Sequence, residues 1–380
     1  MITGSKELIR DMNTQLVLRT IMEFAPISRA AVSQKLGLTK ATVSAIVQVL
    51  LEKELLLEIG SDDTKRGRKP ILLTLNKSCA YSISIDLSAE YITLFTANLM
   101  GENCMLRQIE NHESRATILP ALTCMIEEMQ SQLPPSAYGL VGICIGIHGV
   151  IHENQLVFVP YSPYQGIDFA GSLEQHFHIP VLVENEANLS ALGEWAYCFH
   201  TRNMLSISVH SGIGVGIIMD DQLITGQNGY AGEFGHTIIS IDGRPCPCGN
   251  QGCLEQYGSE RALLQELSQK KGNKITAEHF MHLYQKKDKD AVRTMELFVK
   301  YMAIAINNLL TTFNPEIIVL NSSFTMNFPD AVQDIHAHIH NKMAAYCNLV
   351  PSKLQDTAIL LGGVYPVSYT HLTLPTILRV

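Results

Sequence analysis

Four residues with metal-binding chemistry fall within 18 positions of this 380-residue chain: His236, Cys246, Cys248 and Cys253. One imidazole and three thiolates form a tetrahedral set that a structural Zn2+ accepts, and Pro245, Pro247 and the intervening glycines let the chain turn tightly enough to gather them. Four protein ligands leave the metal no open position, so its role is to fold the loop. Iron–sulfur binding suits the set less well, because one ligand would be histidine. A second constellation is polar: Glu184-Asn185-Glu186-Ala187-Asn188, with Glu233 and Glu255 flanking the metal loop. Carboxylates and amides that make paired hydrogen bonds suit the vicinal hydroxyls of a sugar, and a ligand that leaves them unpaired is rejected. A third is basic: Lys65, Arg66, Arg68 and Lys69 surround Gly67. That composition fits phosphate contact and the insertion of an arginine into a narrow minor groove, with Arg66 and Arg68 as the candidates.

The elements that must position these groups begin with the basic cluster. Residues 8–24 carry Leu16, Leu18, Ile21, Met22 and Phe24 at roughly helical spacing, and Pro26 ends the run. Ser28 is placed to cap a short helix over 29–36, and Gly37 can turn left-handed after it. Thr39 then caps a helix over 40–53, whose Val43, Ile46, Val47 and Leu50 face a core while Lys40, Thr42, Ser44 and Gln48 stay outside. Helix, glycine turn and helix make a helix-turn-helix, with the second helix read into the major groove. Two strands, 55–59 and 71–75, enclose the basic cluster as a wing. Lys40, Thr42, Ser44, Gln48, Arg66 and Arg68 are the expected DNA contacts.

Charge divides the chain in the same place. Residues 1–78 hold 12 Lys+Arg against 8 Asp+Glu, whereas the whole chain carries a net charge of −8, so a basic head precedes an acidic body. Such a head gains from counterion release at phosphates. The body alternates apolar, glycine-punctuated runs near 82–87, 91–97, 141–150, 181–184, 205–219 and 317–320 with helical stretches 116–133, 187–197 and 291–313, which predicts α/β layers. Its Glu184–Asn188 segment lies where a strand gives way to a helix, the edge at which open α/β sheets bind ligands. Its longest apolar runs stop well short of the roughly 20 residues that cross a bilayer, and the charged start carries no secretory signal. A cytoplasmic protein is expected, with its nine cysteines outside any disulfide framework.

Together, Gly232-Glu-x-Gly-His236, Cys246-x-Cys-Gly-x-x-Gly-Cys-Leu-Glu255 and Glu184-Asn-x-Ala-Asn188 resemble the ROK family of repressors, open reading frames and kinases, and the winged head resembles its repressor branch. The similarity runs from about residue 8 to 365. The phrases Pro26-Ile-Ser-Arg-Ala30 and Gly37-Leu-Thr-Lys-Ala-Thr-Val-Ser44 are most similar to Gram-positive xylose-operon repressors. The resemblance implies a winged helix-turn-helix over 1–78 and a two-lobed, actin-like ATPase fold, with lobes 79–195 and 196–366 and the metal loop at 236–253. It further implies that Asn185, Glu186, Glu233, His236 and Glu255 bind the sugar, His236 also holding the zinc. Against the family's kinases, Asp86 is followed by Leu87-Ser88-Ala89-Glu90 instead of a glycine-rich phosphate loop, Glu186 replaces the catalytic aspartate, and Asn321-Ser322 replaces an adenosine-side glycine pair. Ser211-Gly-Ile-Gly-Val-Gly216 alone retains its glycines. The ATP site is therefore expected to be dead. Residues 367–380 resemble a non-native tail, with the family's terminal helix expected to be missing.

The expected function is a repressor of sugar-utilisation genes that acts as a homo-oligomer, dimer or tetramer, two of its heads reading a palindromic operator from which xylose or a related sugar releases them. The alternatives are an ATP-dependent sugar kinase with a regulatory head, and a repressor whose signal is a partner protein.

Overall fold

The computed structural model describes residues 6–61, 71–346 and 348–373. The head begins with a helix over Lys6–Phe24, whose Val17, Leu18 and Ile21 are buried. Leu16 and Phe24 are exposed, because the buried face runs through Thr14, Val17, Leu18 and Ile21. Strand β1 (Ile27–Ser28) leads into the Arg29–Leu36 helix, where the Ser28 hydroxyl accepts from the Ala31 amide and Gly37 closes the helix at φ 65°. Thr39 caps the Lys40–Glu52 helix in the same way, accepting from the Thr42 amide. Strands β2 (Leu56–Ser61) and β3 (Ile71–Leu75) form the wing stem, and β1 adds to β3, giving the order β1-β3-β2. The wing tip, with Arg66 and Arg68, lies outside the described residues.

The body contains two five-stranded sheets. The first comprises β4 (Tyr81–Leu87), β5 (Tyr91–Asn98), β6 (Met105–Glu110), β7 (Leu140–Ile147) and, after the hairpin of β8 (Val150–His152) and β9 (Gln155–Phe158), β10 (Val181–Asn185). Its order is β6-β5-β4-β7-β10, antiparallel through β4, β5 and β6 and parallel through β4, β7 and β10. The second comprises β11 (Met204–Val209), β12 (Ile213–Met219), β13 (Gln222–Leu223), β14 (Ile317–Ser322) and β15 (Leu349–Pro351). Its order, β13-β12-β11-β14-β15, repeats the first sheet strand for strand, with the same mixture of directions. The stretch 205–219, expected as one run, is a hairpin turning at His210–Gly212.

Each sheet packs an apolar face against its own outer helices. In the first lobe the Ile118–Ser131 and Phe169–Phe177 helices cover Ile83, Ile85, Ile143 and Ile145; in the second the 25-residue Lys289–Phe313 helix covers Ile207, Val215, Ile318 and Leu320. Between the sheets lie two further helices, Glu186–Glu194 and Ala358–Thr373, packed on each other. Glycines set their separation: a Cβ on Gly193 would overlap the Ala358 carbonyl oxygen, and one on Gly362 the carbonyl oxygen of Leu189.

One expectation is corrected here. The last helix packs against β4 and β7 of the first sheet, so it belongs to the first lobe and not to the second. That helix runs past residue 366 to Thr373 with Val367 and Ser368 buried, so the first residues of the expected tail are helical. Apolar residues can continue a helix when a groove between elements awaits them, whatever their resemblance. The head joins this region: its first helix packs against the terminal helix, Lys53's carbonyl accepts from the Tyr138 hydroxyl at 2.7 Å, and Lys77 pairs with Glu102 at 2.7 Å. Head and inter-lobe helices share one apolar cluster that includes Val17, Ile21, Leu189, Ile359 and Val367. No described helix is long and apolar enough to cross a membrane.

Candidate functional site

The parallel strands of both sheets end at one cleft. Asp86 lies at the end of β4, His148 follows β7 and Glu186 follows β10, while His210 follows β11 and Asn321-Ser322 close β14. Carboxyl ends of parallel strands are where open α/β sheets bind ligands, because chain crossovers leave a crevice there.

From the first lobe comes Glu186, at the start of its helix, with its Oε2 buried and without a hydrogen-bond partner among the described residues. Burial raises its carboxyl above the usual range, opposed by the nearby His148 and His210. Glu233 enters from a glycine-rich loop of the second lobe, its Oε2 3.6 Å from His236 Nε2. Burial, with the charges of Glu186 and Glu255, pushes its carboxyl up to about 7. The charges of Glu186, from the first lobe, and of Glu255, from beside the metal loop, both act on Glu233. Glu255 is buried behind the metal loop, its Oε2 accepting from the Ile213 amide at 3.4 Å.

Asn185 stands differently from its expected place. Its Oδ1 caps the following helix, accepting from the amides of Ala187 and Asn188 at 2.8 and 3.1 Å, and its Nδ2 donates to the Gly149 carbonyl at 2.8 Å. Of its carboxamide, one N–H is left for a ligand. Glu184 anchors the same turn, accepting from the Asn185 amide and from Asn188 Nδ2.

Next to Glu186 sits a group that the sequence reading did not single out. His148 Nε2 is 3.0 Å from Asp86 Oδ1 and its Nδ1 is 3.9 Å from Glu186 Oε1. Burial disfavours the imidazolium, but the charge and hydrogen bond of Asp86, with Glu186 beyond, outweigh it and push the pKa up to about 9. An imidazolium therefore occupies the space beside Asp86. On the other side of the cleft, Glu260 is buried and accepts from Ser322 Oγ, Ser323 N and Ser323 Oγ at 2.6 to 2.7 Å, setting a carboxylate at the end of β14. The glycines 212–216 are only partly a loop: Gly214 and Gly216 lie inside β12, where a Cβ on Gly216 would overlap Ala187 and Ala191 of the inter-lobe helix. Those glycines are required by helix packing.

The metal-type cluster is assembled. His236 and the thiols of Cys246, Cys248 and Cys253 place one ligand atom each within 4.8 Å of one another, with Cys248 and Cys253 sulfurs 3.7 Å apart and Cys246 Sγ 3.4 Å from His236 Nδ1. A tetrahedron built on metal–sulfur bonds of about 2.3 Å has sulfur–sulfur edges of about 3.8 Å, so these residues fit a tetrahedral metal ion. Nδ1 faces the thiols, which leaves Nε2 toward Glu233 and the cleft. In the head, Lys40, Ser44 and Gln48 are exposed on one helix and Thr42 is half-buried beside its cap.

Residues 82–368 match the ROK family. The chain belongs to the ROK family. A protein described as "Xylose repressor" from Bacillus subtilis (strain 168) is 34% identical over 368 residues, which span 94% of this chain and 95% of that protein. A crystal structure described as a ROK family transcriptional regulator, homolog of E. coli MLC protein, superposes with a TM-score of 0.82 at 25% identity, covering 98% of this chain and 100% of that one. A ROK family glucokinase from Streptomyces griseus in complex with glucose and AMPPNP superposes with a TM-score of 0.67 at 22% identity, over 75% of this chain and 98% of that one. The kinase shares the two-lobed body, whereas the regulator matches this ROK chain through its head as well.

Proposed function

We propose that this ROK protein is a sugar-responsive transcriptional repressor, released from operator DNA by xylose or a related sugar bound in a cleft that does not process ATP. The observation that carries the reading is a winged helix-turn-helix joined directly to the helices between the lobes, beside a cleft into which both lobes bring carboxylates. Glu186, Glu233 and Glu255 are the sugar's hydrogen-bond acceptors, with one N–H of Asn185 and Nε2 of His236 as donors. The Glu260 carboxylate at the end of β14 sets a negative charge that disfavours a triphosphate, and Asp86 is already paired with His148. Zinc is the metal of the His236, Cys246, Cys248 and Cys253 cluster, where it folds the loop that presents Glu233 and Glu255.

Lys40, Thr42, Ser44 and Gln48 read the major groove, and Arg66 and Arg68 contact the minor groove or phosphates. A homodimer sets two such helices about one DNA turn apart on a palindrome, in the cytoplasm. Sugar releases DNA by binding better to an arrangement that no longer fits that spacing; 100-fold discrimination between the two arrangements is worth ~2.7 kcal/mol. Gel-shift titration of operator DNA with xylose and a panel of other sugars tests the reading. The expected result is loss of the complex with one sugar class, and persistence of the complex with every sugar would overturn it. Incubation with ATP and the same panel should give no turnover; turnover abolished by Glu186→Gln would establish the kinase reading instead.

A further inference from the structure

Glu255 is not waiting for a ligand in this structure; it is already engaged by the opposite lobe. The Tyr161 hydroxyl, on the loop between β9 and the Phe169–Phe177 helix of the first lobe, donates to Glu255 Oε1. Arg261, at the start of the Glu260–Lys271 helix of the second lobe, holds that phenol: its guanidinium lies 5.1 Å from the ring centroid, its Nη2 is 3.3 Å from the hydroxyl and 3.6 Å from Glu255 Oε1, and its Nε donates to the Ser211 carbonyl at 2.9 Å. Gln256 Nε2 approaches the same carboxylate oxygen at 3.4 Å. The other oxygen, Oε2, lies against the backbone of Gly212 and Ile213. A carboxylate has about four lone-pair directions, so a new hydroxyl reaches Oε1 by replacing a donor already there. Among these donors Tyr161 alone comes from the other lobe. Burial and the adjacent Glu255 charge raise its phenol pKa above the ordinary value, so it stays protonated and donating.

We propose that Tyr161 is a built-in stand-in for a sugar hydroxyl: it occupies on Glu255 the position that the inducer takes, and sugar binding begins by breaking this bridge between the lobes. The inference rests on the reading of the cleft as a sugar site. It makes Tyr161 a determinant of sugar affinity that opposes binding, and it makes the exchange the event that frees one lobe from the other. The chain's one tryptophan can report that event, because Trp195 ends the first inter-lobe helix with its ring 5.5 Å from Tyr365 of the second.

Tyr161→Phe removes the competing hydroxyl and keeps the ring against Arg261 in a half-buried loop, so the fold is retained, which a thermal unfolding scan verifies. Sugars are titrated calorimetrically into the full-length wild type and the variant, with the panel of the gel shift, and Trp195 emission is recorded in parallel. The variant should bind the responding sugar about tenfold more tightly, ~1.4 kcal/mol at 25 °C, and its sugar-free emission should lie nearer that of the sugar-saturated wild type. Equal or weaker binding by the variant, with wild-type affinity intact, overturns the stand-in role, weaker binding marking Tyr161 as a direct sugar contact. If the wild type itself binds no sugar, the functional reading fails and takes this inference with it, a result distinct from any change confined to the variant.

Discussion

Individual side chains in the cleft make predictions that a change of one atom type can test. Glu186 offers a buried oxygen with no partner among the described residues, and a hydrogen bond to a charged group contributes about 1.5–3 kcal/mol. Glu186→Gln should therefore weaken sugar binding by roughly 10- to 100-fold by calorimetry while leaving the fold intact. His148 predicts a pH dependence. Its folded pKa of about 9 lies above the ordinary 6.5, so its pairing with Asp86 stabilises fully below about pH 6.5, and that contribution is lost as pH rises through 9. The thermal midpoint of the wild type should fall between pH 6.5 and 9.5 by more than that of His148→Gln, the difference corresponding to on the order of 3 kcal/mol at most. The sequence pointed to Asp86 and Glu186 through their motif, but His148 carries no local signal, being a single histidine after a strand. Only the side-by-side pairing of β4 and β7, with Asp86 opposite Gly146, brings it to Asp86.

Single elements, rather than single atoms, set the metal loop and the recognition helix. Removing the metal with a chelator, or replacing Cys248 with Ser, should lower the thermal midpoint and weaken sugar binding together, because the loop that ends at Cys253 presents Glu233 on one side and Glu255 on the other. Metal content by mass spectrometry, read beside sugar affinity, checks the link. On the recognition helix, Lys40→Ala should weaken binding to all DNA sequences alike and reduce the salt slope by about one. Gln48→Ala should instead relax preference at one operator position, by about 1–3 kcal/mol, since among the described residues Gln48 spends its amide on Glu52, four residues on, at 3.0 Å. The caps at Ser28 and Thr39 and the left-handed Gly37 were legible because capping is decided within four residues.

At the scale of the whole molecule, the head meets the two helices between the sheets, its first helix packing against the terminal one. The contact between those two helices tolerates no side chain at Gly193 or Gly362, so Gly362→Val should separate them, lower the thermal midpoint and abolish the response of operator binding to sugar. A milder test lies at the head's attachment. Tyr138→Phe removes the hydrogen bond to the Lys53 carbonyl, and it should narrow the difference in operator affinity with and without sugar while leaving the body's sugar affinity unchanged. Gel shift and calorimetry on the same preparation separate the two quantities.

The sequence by itself determined what local chemistry and spacing decide: the metal set, the capped helix-turn-helix, the acidic side of the cleft and the departures from a phosphate loop. The tertiary structure alone decided which lobe owns the terminal helix, that two stretches without recognisable internal repetition build the same strand order, that Asn185 serves mainly as a helix cap, and that Tyr161 reaches Glu255 across 94 positions of chain. The reason is physical. Caps and ligand loops are contests among neighbours a few residues apart, whereas a strand's partner, or the occupant of a carboxylate, is chosen by elements that meet only after the whole chain has packed.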